Sequence, residues 1–71
     1  MASTIQASLS AGINDSAKAF AFEYTAVDGH HSSVRDFQPE TFINDVVVGQ
    51  TSDGYRRYVL DQITDFREVS A

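Results

Sequence analysis

The spacing of apolar residues changes once along this chain. Near the start, Ile5, Leu9 and Ile13 recur every four positions with the small Ser8 beside them. That spacing predicts a single apolar stripe on a short helix of roughly residues 4 to 11. Ser3-Thr4-Ile5-Gln6 reads as its capping box, with Ser3 capping and Gln6 reaching back to the Ser3 amide. Gly12 suits a C-terminal stop, and Asn14-Asp15-Ser16 a polar link. So short a helix does not persist alone in water, so it has to dock on something.

From Lys18 the period becomes two. Phe20, Phe22 and Tyr24 point one way while Ala19, Ala21 and Glu23 point the other, which predicts a core-lining strand ending near Thr25. Asp28-Gly29 supplies a hairpin turn. His31 to Phe37 is a more polar strand that pairs back, and Pro39 is expected to end it because proline cannot donate to a ladder. Phe42 and Ile43 lead into a turn at Asn44-Asp45. Val46-Val47-Val48 is the most β-prone run, and its unbroken apolar character predicts burial on both faces. Ser52-Asp53-Gly54 forms the next hairpin. Tyr55 to Leu60 returns with Arg56, Tyr58 and Leu60 on one face and Tyr55, Arg57 and Val59 on the other. Asp61 to Thr64 reads as a single turn, and Asp65 to Val69 as a closing strand. One helix followed by about five short, tightly connected strands predicts a mainly β fold, a small antiparallel barrel of the SH3 or Sm type.

Composition sharpens this picture. At 71 residues the chain is a single domain, and a domain this small buries only about 60% of its extended surface, so its large apolar residues are needed inside. No cysteine is present, which removes disulfides and thiolate metal sites. No apolar run reaches the roughly 18 residues of a membrane span, and MASTIQASLS lacks the basic and apolar segments of a secretory signal. A cytoplasmic location is expected. Ten acidic against five basic residues give a net charge of −5 and a pI near 4.6. Such a surface repels nucleic acid on average, so any anion site must be local. Arg56 and Arg57 are adjacent, and Arg35 is the arginine placed to join them. The acids are spread along the chain, mostly in or beside turns, as suits solubility or engagement of a basic protein surface.

Several segments, in order, resemble the WYL domain, a small Sm-like barrel of bacterial transcriptional regulators. AFEYTAVDG is similar to that family's opening strand and hairpin, and VRDFQP to its arginine-to-proline segment. DVVVGQTSDG occupies the slot of the naming tripeptide and the turn after it, and YRRYVLDQI resembles the closing signature. The resemblance covers residues 17 to 69, with the N-terminal helix matching the one that commonly precedes the barrel. Asp45-Val46-Val47 stands where Trp-Tyr-Leu is expected, and Gln62 where a second arginine is. The resemblance implies a pocket for nucleic acid or a nucleotide-like ligand, with Arg35 and Arg56 as the positions that carry over.

Strand alternation places Arg56 and Arg57 on opposite faces, so they cannot form one clamp. With Tyr58 and Leu60 facing inward, Arg56 lies at the barrel mouth, where its guanidinium suits a phosphate or carboxylate. The competing arrangement is an ion pair with Asp61, Glu23 or Asp36. Arg57 reads as a solvated face, and Tyr55, beside a turn, as the exposed ring able to stack on a base. Asp28 and His30 form a weak candidate metal pair at what is otherwise an exposed hairpin tip. Neither Asp53, Asp61 and Asp65 nor Ser32-Ser33 has the surroundings of an acid–base pair or an activated nucleophile. A non-enzymatic protein without a cofactor is expected.

Two functional readings follow. One is a regulatory binding module for single-stranded nucleic acid or a nucleotide, through Arg35, Arg56, Tyr55 and Arg57. The other is a small acidic regulator or inhibitor of the kind phages encode, docking on a larger protein. A homodimer through the edges at His31 to Phe37 or Asp65 to Val69 is compatible with either.

Overall fold

The computed structural model describes residues 2–70, with side chains over 5–69. Helix α1 spans Ala2–Ile13, longer than its spacing predicts. The capping box rests on the Ser3 side chain, which lies outside the described residues. Gly12 lies within the helix and does not stop it. A Cβ there would overlap the Phe20 ring and stand 3.3 Å from Cγ of Pro39. Gly12 is therefore where the helix backbone presses on the sheet. Leu9, fully buried, and the partly buried Ile5 add the stripe's apolar contacts. The polar link closes as a local turn, with Asp15 Oδ1 accepting from the Ala17 amide at 3.1 Å.

Five antiparallel strands follow: β1 Lys18–Thr25, β2 His31–Ile43, β3 Val46–Thr51, β4 Gly54–Val59 and β5 Ile63–Ser70. They form one open sheet in the order β4-β3-β2-β1-β5. The turns at Asp28-Gly29, Asn44-Asp45 and Ser52-Asp53 fall where expected. The segment after β4 is a 3₁₀ helix, Leu60–Gln62, rather than a turn at Asp61 to Thr64. Strand β5 consequently starts at the buried Ile63.

Pro39 does not end β2. The strand runs on to Ile43, because Pro39 sits beside an extra residue between Pro39 and Thr41 that β3 does not match. A bulge is one of the few places inside a sheet where the missing N–H does no harm. A second extra residue lies between Val34 and Phe37, against β1. These irregularities let β2 change partner: residues 31–37 pair with β1, and residues 38–43 with β3.

The aromatic residues pack together inside this bent sheet. Phe20, Phe22 and Phe37 are fully buried, and the Tyr58 ring stands edge-on to Phe22, Tyr24 and Phe37 at centroid distances of 5.1, 4.8 and 5.4 Å. In β5 an extra residue between Thr64 and Arg67 coincides with Asp65 at φ 53°. The bulge turns Phe66 inward, where it stacks on Phe20 at 5.2 Å. Ala19 and Ala21, on the other face of β1, are also buried. Val47 is buried, but Val46 and Val48 are only half-buried, so β3 is covered on one face and not on both. No helix among the described residues is long and apolar enough to cross a membrane.

Candidate ligand-binding site

The change of partner in β2 creates a groove. Over residues 31–36 the strand has β1 on one side and no ladder on the other. Ser32 to Asp36 thus form one wall, and the β3–β4 turn at Thr51 to Asp53 forms the opposite one. Arg56 and the buried Tyr58 complete a cavity of about 450 Å³. A second concavity of about 330 Å³ shares Arg35, Asp36, Thr51 and Ser52 and continues over Ala19 and Val69. Arg35, on the shared wall, serves both.

Arg35 and Arg56, 21 positions apart in the chain, therefore face one space. Both are exposed. Among the described residues, the ion pairs within 4.0 Å are Lys18 with Glu68 and His31 with Glu23, so neither guanidinium has a carboxylate partner. The expected pairing of Arg56 with Asp61, Glu23 or Asp36 does not form. Arg56 instead donates from Nη1 to the Tyr55 carbonyl at 2.8 Å. Glu23 is occupied elsewhere, accepting from Ser33 Oγ at 2.8 Å and pairing with His31 Nε2 at 2.7 Å.

The groove is polar and mixed in sign. Asp36 and Asp53 line it alongside the two arginines, with the hydroxyls of Ser32, Ser33, Thr51 and Ser52. Its field is felt by Tyr58. Burial pushes that phenol above its ordinary 10.0, the Arg56 guanidinium pulls it back, and Asp53 and Asp36 push it up again. A guanidinium pair beside hydroxyls and carboxylates can hold an anionic group and, next to it, a hydrogen-bond donor.

Tyr55 and Arg57 do not join this groove. They lie on the other face of β4, where Tyr55 donates to both oxygens of Glu40, at 2.9 and 3.0 Å. Tyr55 is exposed as expected, at 56%. At the β1–β2 turn, Asp28 Oδ1 accepts the His30 amide at 2.9 Å, and among the described residues no three His, Asp or Glu side chains converge as a metal site. Sequence reasoning weighed Asp36 as an ion-pair partner of Arg56, Asp53 as an acid–base group and Ser32-Ser33 as a nucleophile, but placed none of them in a binding site with Arg35 and Arg56. Only the bend of β2 sets residues 32–36 opposite residues 51–53. No protein-family model, curated protein or solved structure matches the chain.

Proposed function

We propose that this protein is a cytoplasmic, non-enzymatic regulatory binding module that takes an anionic, nucleotide-type ligand in the Arg35–Arg56 groove. The observation that carries this reading is two guanidinium groups, neither with a carboxylate within 4.0 Å among the described residues, that line one polar space from β2 and β4. A chain with twice as many acidic as basic residues tends to neutralise its arginines internally, and here two are left open toward the same cavity. The volume falls in the range of small-molecule sites. Phosphate suits the arginines, while Asp36 and Asp53 suit the amino groups of a base edge. The resemblance of the strand sequence to the WYL domain, and an SH3 or Sm-type reading of the five strands, support the same assignment. On this reading ligand binding modulates transcription or a defence system.

Isothermal titration with single-stranded oligonucleotides, mononucleotides and cyclic nucleotides tests this. The wild type is expected to bind at least one of them, and the Arg35→Ala/Arg56→Ala variant none. Equal heats for the two proteins would overturn the assignment.

A further inference from the structure

The outer face of β2–β3–β4 carries a second message. Strand β3 is apolar on both sides, yet only the inward Val47 is fully covered. Register places the outward residues in rows across three strands. Ile43, Val46 and Val59 form one row, Thr41, Val48 and Arg57 the next, and Gln50 with Tyr55 a third. Ile43 and Tyr55 are 57% and 56% exposed, two of the three large apolar side chains so exposed among the described residues. Val46, Val48 and Val59 beside them are only half-buried. Val48, Tyr55, Arg56 and Arg57 enclose a shallow concavity of about 490 Å³. A solvent-facing side of a sheet ordinarily alternates to polar residues, and over Ile43, Val46, Val48 and Val59 this one does not.

The charges on this face identify what covers it. Arg57, on β4, has no carboxylate within 4.0 Å among the described residues, and Glu40, on β2, has no cation within that distance. The described partner of Glu40 is the Tyr55 phenol, which the carboxylate holds above its ordinary value. One unmatched cation and one unmatched anion thus sit on opposite sides of one apolar patch. A basic target would leave Arg57 unmatched, and an acidic one would leave Glu40 so. A copy of the same face satisfies both.

We infer that the protein self-associates through this face, about a two-fold axis running along β3. That axis lays β2 of one copy over β4 of the other, so that Ile43 meets the partner's Val59 and Arg57 lies level with the partner's Thr41, one residue from the bulged Glu40 that it pairs with. Such an interface is isologous and closed, and its Tyr, Arg and aliphatic residues are those that dominate binding at protein interfaces. It differs from the edge pairing expected from the sequence. His31 to Phe37 already pairs with β1 on one side, and its other side lines the groove, while Asp65 to Val69 does lie on the outer strand β5.

Sedimentation equilibrium on the full chain tests the inference. The wild type is expected at twice its 7.8 kDa chain mass. Arg57→Glu and Glu40→Arg each set like charges opposite one another and should weaken association on the order of tenfold or more. The double reversal, Glu40→Arg with Arg57→Glu, should restore it. All these side chains are exposed, and far-UV circular dichroism checks that each variant is folded. A wild type that stays monomeric to about 1 mM overturns the inference, even if another protein is captured on the face. So does a double reversal that associates no better than the single ones.

Discussion

Tyr24 donates a hydrogen bond of 3.0 Å to Oε1 of Gln62, 38 positions along the chain. The same hydroxyl accepts the Val59 N–H at 3.0 Å. One phenol therefore joins the end of β1 to the end of β4 and to the 3₁₀ helix, across the gap where β4 and β5 share no ladder. Gln62 stands where the WYL resemblance expects an arginine, and here it accepts from the Tyr24 hydroxyl that ties β1 to the 3₁₀ helix.

Tyr24→Phe removes both bonds and leaves half-buried polar groups short of a partner. We expect a loss of about 1–3 kcal/mol, seen as a fall in Tm of roughly 4–8 °C per kcal/mol in a domain of this size. An unchanged Tm would mean that water substitutes fully for the phenol.

Gly49 is fixed by close approach. A Cβ there would overlap the Gln38 carbonyl oxygen and stand 2.8 Å from the Phe37 ring. Because the obstacle is backbone, Gly49→Ala has to shift β2 against β3 beside the bulge. A cost of about 1–3 kcal/mol is expected in urea denaturation, with the m-value unchanged.

Asp65 occupies the left-handed region at φ 53°. Asp65→Gly should leave stability unchanged or raise it, whereas the β-branched Asp65→Val should lose about 1–2 kcal/mol. Comparison of the two variants by thermal melting isolates the backbone term, because the side chain is exposed.

The Ser33 hydroxyl and then the His31 ring hold the Glu23 carboxyl below its ordinary value. The native state therefore releases this proton more readily than the unfolded chain. Its stabilising contribution is complete above the ordinary glutamate range, roughly pH 4.3, and disappears as pH falls through the lower native value. Glu23→Gln should melt below the wild type above the ordinary glutamate range, and the two curves should converge at lower pH, once the native carboxyl takes up its proton. A gap that persists at acid pH would rule out this linkage.

Within the groove, Arg35→Ala and Arg56→Ala should each weaken ligand binding about tenfold or more, the usual loss of a charge-assisted hydrogen bond. Arg57→Ala, on the far face, should change it by less than about twofold. If the ligand is a nucleic acid, each groove substitution also lowers the salt dependence by about one ion. Fluorescence anisotropy at about 50 and 200 mM salt reads both effects.

What the sequence disclosed was local. The period change at Lys18, the alternating aromatics of β1 and the three turns were legible because each depends on neighbours a few positions away. Alternation put Tyr58 and Leu60 together, and both are buried, although Leu60 lies in the 3₁₀ helix after β4. The continuity of β2 through Pro39 was not legible, since it depends on how two strands fall out of step. Gly12 carried a stop signal by composition, and only the Phe20 ring packed against it reveals its other use. The groove shares this origin: Arg35 and Arg56 were marked individually, but their common space exists because β2 trades one neighbour for another.

Strand β5 completes β1, setting Lys18 beside Ser70. Hairpins β1–β2, β2–β3 and β3–β4 can each assemble from adjacent segments, but this last ladder must wait for almost the whole chain. Closing so long a loop is slow, and until it closes Phe66 cannot reach Phe20. During synthesis, then, the aromatic core stays incomplete until β5 has left the ribosome, and the unfinished sheet is the species most exposed to chaperones and proteases.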